Sequence, residues 1–415
     1  MVMRVEKAGA PAGATERATT SPALQVRPID ESEYIAHFAA HTGASYQQTP
    51  EWAAVRRGDW EPEFVGWFDA DGGCAGIAVI RYRRLPGTSF RLAYIPAGPL
   101  LDWSDASLRS ALDALRDHLD ERRVFVVRMY PPVDSRTWSS GRVRRAVGES
   151  SMQHLSEVTP DTTNAVADEV REVLHSGGWA PMRTEEDVES TQPCFLYSVP
   201  LDGLNEDEVF SRMSKDWRKN IRAAQKRGVE VRPAAHEDLP TVHRLHVETS
   251  RRNGFTPLPL TFFETVWDEF EQHRSGSARF DLASVEEEVI SGTLMLAVAG
   301  RDYGLVAGNS VHHREARPSN AIHWVRIRSA ITDGAGALDL GAVPPVLTAS
   351  HPSAGLLHFK LGLGGEIAEN IGGWQLVLRP GVDRVFRTVY SLYREAPRLA
   401  RVLRPGGGAT SRASD

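Results

Sequence analysis

A lysine beside a glycine-rich turn is the most suggestive chemistry in this sequence. Residues 355–366 read Gly-Leu-Leu-His-Phe-Lys-Leu-Gly-Leu-Gly-Gly-Glu, with Lys360 between an apolar run and glycines 362, 364 and 365. Those glycines permit backbone conformations and close approaches that a side chain would block. Lysine is scarce here: of 48 Lys+Arg, only Lys7, Lys215, Lys219, Lys226 and Lys360 are lysine. A compact ammonium on a flexible stem is not interchangeable with a guanidinium, so its retention at 360 points to a role. From this stretch alone, a surface lysine beside a loop fits as well.

Three more lysines fall in one segment, Glu206–Gly228. Val209, Met213, Trp217, Ile221 and Ala224 recur at helical spacing and predict one apolar stripe. The remaining faces carry Arg212, Lys215, Arg218, Lys219, Arg222, Lys226 and Arg227 against Asp216 alone within 212–228. In a chain of net charge −6, that concentration fits an anion or nucleic-acid contact surface, with a solvated helix face as the plain alternative. Residues 249–257, Thr-Ser-Arg-Arg-Asn-Gly-Phe-Thr-Pro, read as a second cationic loop, suited to phosphate contacts.

The elements that position these residues follow a twofold grammar. Residues 1–22 and 405–415 have the composition of disordered tails. Thr49 with Pro50 predicts a helix start. Strands at Glu63–Phe68 and Gly76–Tyr82 flank a turn of hairpin composition, Asp71-Gly72-Gly73. Arg91–Ile95 follows as a strand, Ser104–Arg122 as a helix, and Val124–Met129 as a buried strand. Residues 133–170 carry no clear pattern. About 215 residues later the grammar returns: a hairpin at Gly292–Val298 and Tyr303–Val306, a helix at Ser319–Thr332, a strand at Ala337–Val343. This predicts two similar α/β domains whose junction suits a site.

Composition bounds the class. The chain has 415 residues, 41% hydrophobic and 25% charged, as in a globular protein. The net negative charge argues against a surface that coats nucleic acid throughout. Cys74 and Cys194 cannot build a disulfide framework or a Cys-rich zinc site, which favours a reducing compartment. No run approaches the roughly 18 apolar residues of a membrane span, and no signal-peptide core begins the chain. The expectation is a cytoplasmic protein. Motifs of P-loop NTPases, α/β-hydrolases, zinc proteases and dinucleotide-binding enzymes are absent. The adjacent His312 and His313 would point apart on a strand, so no metal is expected.

With those residues in hand, a family resemblance emerges. Residues 214–229, Ser-Lys-Asp-Trp-Arg-Lys-Asn-Ile-Arg-Ala-Ala-Gln-Lys-Arg-Gly-Val, resemble the signature helix of the FemABX family of aminoacyl-tRNA-dependent peptidyltransferases. Tyr46–Arg56 is similar to the family's early Gln-x-x-x-Trp segment, and Ile95–Asp102 to its Gly-Pro loop with a following aspartate. Arg252-Asn253-Gly254-Phe255 matches Arg-Asp/Asn-x-Phe, and the 355–366 stretch matches Phe-Lys-x-Gly-x-Gly, followed by Gly372-Gly373-Trp374. The resemblance spans about Tyr46 to Arg394 in order.

The resemblance implies an α/β (α+β) fold of two tandem acetyltransferase-like (GNAT-type) domains without a coiled-coil insertion. The first would cover 23–190, completed by about 372–404, and the second 191–371. It implies transfer of an amino acid, glycine or another small residue, from aminoacyl-tRNA to an amine of a nucleotide- or lipid-linked peptidoglycan precursor. No cofactor is expected beyond the tRNA co-substrate, and no pyrophosphate loop for acetyl-CoA is evident. Phe359 and Lys360 match the catalytic Phe-Lys pair, Lys360 facing the oxyanion of the tetrahedral intermediate. Arg56 and Arg252 match phosphate-contacting positions, Asp102 an acidic residue of the acceptor site, and Tyr303 the first tyrosine of Tyr-x-Tyr-Gly-Ala-Ser. Lys215, Arg218, Lys219, Arg222 and Lys226 are expected to meet tRNA phosphates; this assignment follows from their charge and not from the family. Val306 stands where relatives commonly have the second tyrosine, residues 338–342 depart from Tyr-Asp-Leu-x-Gly, and Thr256 replaces an aromatic. Those departures favour, as an alternative, a small-molecule or peptide acceptor in natural-product biosynthesis. No transmembrane segment is expected, and at most a transient contact with the inner membrane face. A CoA-dependent or non-catalytic double-GNAT protein is the rival from another class.

Overall fold

The computed structural model describes residues 24–58, 60–149, 152–182, 192–272, 274–351 and 353–402, with side chains to residue 391. The expected tails 1–22 and 405–415 lie outside the described residues. Two mixed sheets carry the fold. In the first, Gln25–Pro28, Glu61–Phe68, Cys74–Arg84 and Arg91–Ile95 run antiparallel in that order, and Arg91–Ile95 then pairs parallel with Val124–Met129. The second repeats this with Glu230–Pro233, Gly276–Val285, Glu288–Val298, Arg301–Asn309 and the parallel strand Ala337–Ala342. Helices fall at matching places: Leu108–Glu121 before the fifth strand of the first unit, Pro318–Thr332 before that of the second. The α/β fold of two acetyltransferase-like units therefore stands, with the twofold grammar realised as a shared topology.

Sheet pairing does not follow the linear division. Trp374–Val377 joins the first sheet beside Val124–Met129. Asp134–Ser139, inside the span expected for the first unit, pairs instead with Glu366–Asn370 at the far side of the second sheet. The poorly patterned residues after 133 thus build that strand and the helix Ser140–Glu149. Each half is completed by the other. Their apolar faces meet in one core, in which Tyr34, Phe38, Trp52, Ile77 and Val79 pack with Phe263, Phe270, Leu294, Leu296 and Tyr303.

A second difference concerns the basic segment. It is two helices, Glu206–Arg212 and Lys215–Lys226, and not one continuous stripe. Ser214 breaks it: its side chain accepts from Trp217 N at 3.2 Å as an N-cap, and its own N–H donates to Gly362 O at 2.8 Å. The cap satisfies a helix-start donor that would otherwise be orphaned. Residues 249–253 similarly belong to the helix Leu239–Asn253, which ends at Gly254 in the left-handed region (φ 75°); the cationic loop is shorter than expected.

Candidate active site

Lys360 lies in the last turn of the helix Ala354–Leu361 and is only 7% exposed. Its Nζ donates to the carbonyls of Leu340, at 2.6 Å, and Ala342, at 2.7 Å. These carbonyls are available for a reason of topology. The strand Ala337–Ala342 pairs with Arg301–Asn309 only as far as Tyr303↔Asp339, and beyond that point the two strands part. Burial lowers the Lys360 ammonium to about 8, against the pull of Asp339 in the opposite direction. No carboxylate lies within ion-pair distance of Nζ among the described residues. The result is a preorganised cation whose hydrogen-bond partners among the described residues are neutral carbonyls.

The basic helix holds this lysine in place. Trp217 Nε1 donates to Phe359 O at 2.9 Å, and the Trp217 and Phe359 rings meet at 4.8 Å. His323, half-buried against the same two rings, is driven down to about 4 by desolvation, so it is neutral at physiological pH. The glycines after Lys360 are explained by this contact. A Cβ at Gly362 would overlap the Trp217 indole, and one at Gly364 (φ +82°) would overlap the Arg212 carbonyl. Side chains there would push the basic helix away from the Lys360 helix.

A cleft of about 720 Å³ opens where the strands part. Gly304, Leu305 and Val306 line one side, and Asp339, Gly341 and Ala342 the other. Of the expected substrate residues, Arg56 and Tyr303 are in its wall. Tyr303 donates its hydroxyl to Ala44 O at 3.1 Å and meets the Tyr46 ring at 5.0 Å; burial raises its phenol well above the ordinary value, so it stays neutral. Lys360 is behind the wall, tied to the carbonyl of Ala342, which lines the cleft, and to that of Leu340, which does not. Asp102 and Arg252 are outside it. Asp102 accepts from the N and Oγ of Ser104, at 2.9 and 2.6 Å, while its neighbours Leu101 and Trp103 line the cleft. Arg252 donates to Asn309 O at 3.3 Å and Thr249 Oγ1 at 3.2 Å.

The five cations expected to meet tRNA share the helix Lys215–Lys226, whose Trp217, Ile221 and Ala224 are buried. Lys215, Lys219, Arg222 and Lys226 are exposed and Arg218 is half-buried. Arg222 stacks over Phe210 at 5.3 Å. Among the described residues none of the five has a carboxylate partner within ion-pair distance, so no ion pair there offsets the charge of this face.

Sequence reading missed several residues here. Gln48 is fully buried and accepts from Val79 N at 2.8 Å while donating to Pro96 O at 2.5 Å. It therefore ties the Gln-x-x-x-Trp segment to the Gly-Pro loop, which accounts for both motifs structurally. Glu51, also fully buried, accepts from Ser275 N at 2.9 Å across the junction. Arg301, Asp134 and Asp339 supply charge to the cleft. Asp339 did fall within a recognised departure from the family pattern, which was the available signal; a polar residue in a strand otherwise resembles a solvent-facing one.

Comparison with known proteins bears on the family and the fold. The sequence model of the FemAB family matches residues 29–288 and 280–391. The chain is 20% identical to the lipid II:glycine glycyltransferase of Staphylococcus aureus (strain USA300), over 87% of this chain and 94% of that protein. The protein from Staphylococcus aureus strain Mu50 / ATCC 700699 matches to the same extent. Among solved structures, the crystal structure of FemX superposes with a TM-score of 0.72 at 18% identity, covering 88% of this chain and all of that one.

Proposed function

The chain belongs to the FemAB family, and from that premise we propose that it is an aminoacyltransferase that moves an amino acid, glycine or another small residue, from aminoacyl-tRNA to an amine of a peptidoglycan precursor. The observation that carries the reading is the placement of Lys360. Its buried ammonium stands between a cleft large enough for a peptide and an unpaired basic helix docked on its own helix. The matching relatives are lipid II:glycine glycyltransferases, which supports a lipid-linked acceptor.

The chemistry needs little else. The acceptor amine attacks the ester carbonyl of the aminoacyl-tRNA, a C–N bond forms, and charge develops on the carbonyl oxygen. A preorganised cation facing that oxygen stabilises the transition state, and losing one such donor typically costs roughly 2.7–4 kcal/mol. The C–O bond to the ribose then breaks, and the tRNA hydroxyl leaves. The ester is already activated, so neither a protein nucleophile nor a metal is required. Burial strengthens the cation's effect, because water screens it less. Lys215, Arg218, Lys219, Arg222 and Lys226 would hold tRNA phosphates, while Arg56 and Tyr303 would contact the acceptor from the cleft wall, and Asp102 and Arg252 would meet only parts of it that extend beyond that wall. The chemistry would take place in the cytoplasm; no helix among the described residues is long and apolar enough to cross a membrane.

Val306 in the cleft wall favours a second reading, the same transfer to a small-molecule or peptide acceptor. One experiment separates these and the CoA-dependent rival. Purified protein is incubated with a mixed charged-tRNA pool and either a lipid- or nucleotide-linked muropeptide or short peptides, and products are read by mass spectrometry. An RNase-sensitive mass gain on the muropeptide is expected. Gain on short peptides alone favours the second reading. Acetyl transfer from acetyl-CoA with no response to charged tRNA refutes both.

A further inference from the structure

Asp339 occupies a position that no role has yet explained. It is the last residue of its strand in register with Arg301–Asn309, and it is in the cleft wall. Its Oδ1 accepts from Gly341 N at 2.6 Å, a bond set up by the left-handed turn at Gly341 (φ 74°). Among the described residues no side chain hydrogen-bonds the carboxylate and none pairs with it. The carbonyls of Leu340 and Ala342, on the residues that follow, hold the Lys360 ammonium. One short strand therefore presents a carboxylate to the cleft and fixes a cation beside it.

We propose that Asp339 takes the proton from the acceptor's ammonium, so that a free amine meets the ester fixed near Lys360. This rests on the aminoacyl-transfer reading above. The arriving ammonium gives one proton to the Asp339 carboxylate. The nitrogen lone pair then forms the new C–N bond, and electrons move onto the oxygen facing Lys360. When the C–O bond breaks, the departing ribose oxygen takes the second nitrogen proton. Asp339 finally releases its proton to water, so the net reaction yields amide, tRNA hydroxyl and one proton.

The surroundings suit a base. Burial raises the Asp339 carboxyl above the ordinary value, opposed by the Gly341 hydrogen bond and by the charges of Arg301 and Lys360. Tyr46 and Tyr303, both neutral phenols, and Asp134 also face it. A proton acceptor works best when its affinity for the proton approaches that of the operating pH.

The test is Asp339→Asn, which keeps an oxygen for Gly341 N and so preserves the turn. Single-turnover transfer from charged tRNA is followed from about pH 6 to pH 9, with the melting temperature measured in parallel. The expected result is an unchanged melting temperature and a loss of roughly 100-fold or more near neutrality. Below about pH 8, where Lys360 keeps its charge, the variant's rate then climbs about tenfold per pH unit as free amine accumulates, a slope that the wild type lacks over the same range. Wild-type rates in the variant, or a constant deficit at every pH, overturn the role of Asp339 while leaving aminoacyl transfer intact. A wild-type protein inert with every charged tRNA overturns the transfer reading itself, and this role with it.

Discussion

Trp217 Nε1 donates to the carbonyl oxygen of Phe359 at 2.9 Å, joining the basic helix to the helix that bears Lys360. The bond is made inside a ring cluster of Trp217, Phe359 and His323, so its loss would not be repaired by water. Trp217→Phe keeps most of the ring packing and removes only the donor. The expected cost is about 1 kcal/mol of stability, read by denaturant melts. Transfer should fall further than that figure implies, because the orientation of the Lys360 helix depends on the same contact.

Gly364 tests the same junction from the other side. Its φ of +82° lies where a side chain is strained, and a Cβ would strike the Arg212 carbonyl. The left-handed conformation alone costs a non-glycine residue roughly 1–2 kcal/mol. Gly364→Ala should therefore destabilise by more than that amount, and Gly355→Ala, where no atom is within 4 Å, should not destabilise. Equal stability of the two variants would contradict the packing described for this turn.

The pH dependence of transfer follows from Lys360. Its ammonium is lowered to about 8 by burial, and the protonated form is the one that stabilises an oxyanion. The charged fraction is high at pH 7 and declines as pH rises through about 8, so the rate should have an alkaline limb there. Lys360→Arg keeps a cation that does not titrate in this range. The variant should be slower, since a planar fork does not reproduce the ammonium geometry, but its alkaline limb should disappear.

The basic helix predicts a salt effect. Each of Lys215, Lys219 and Lys226 changed to alanine should weaken tRNA binding and reduce the slope of log K against log salt by about 0.7–0.9. Acceptor affinity should not move, because these side chains are exposed on the helix and absent from the cleft wall. Filter binding across a salt series makes the measurement.

Acid stability depends on a separate network in the first sheet. Burial would raise the Glu63 carboxyl, but hydrogen bonds from His118, Arg122 and Tyr82 outweigh it and hold the group down near about 2, from an ordinary 4.5. A depressed carboxylate contributes stability that is fully present above its unfolded value and is lost as pH falls toward the folded one. Between pH 4.5 and about 2 that contribution, on the order of 2–3 kcal/mol, should vanish. Glu63→Gln should be less stable than wild type at pH 7, with the difference shrinking over this window in urea melts.

How much of this was legible beforehand depends on what each residue signals locally. Val124–Met129 could be read because every member is buried and most are apolar, and the hairpins because turn composition separates alternating runs. The break at Ser214 was hidden, since Val209, Met213 and Trp217 keep helical spacing across it; only the Gly362 carbonyl opposite reveals why the chain stops. The exchange of Asp134–Ser139 into the second sheet was equally hidden, because its partner lies more than two hundred residues away and its own pattern is polar. Lys360 stood out through scarcity and its glycines, but its partners are backbone carbonyls, which no sequence motif displays. Asp102 and Arg252 show the converse: both sit in recognisable motifs, yet their side chains are engaged outside the cleft wall.

The central claim is that Lys360 stabilises the oxyanion of aminoacyl transfer, and a single-turnover assay on Lys360→Ala tests it most directly. With bound charged tRNA and saturating acceptor, the account predicts a rate loss of about 100- to 1,000-fold with tRNA affinity unchanged. A variant that transfers at close to the wild-type rate would contradict it.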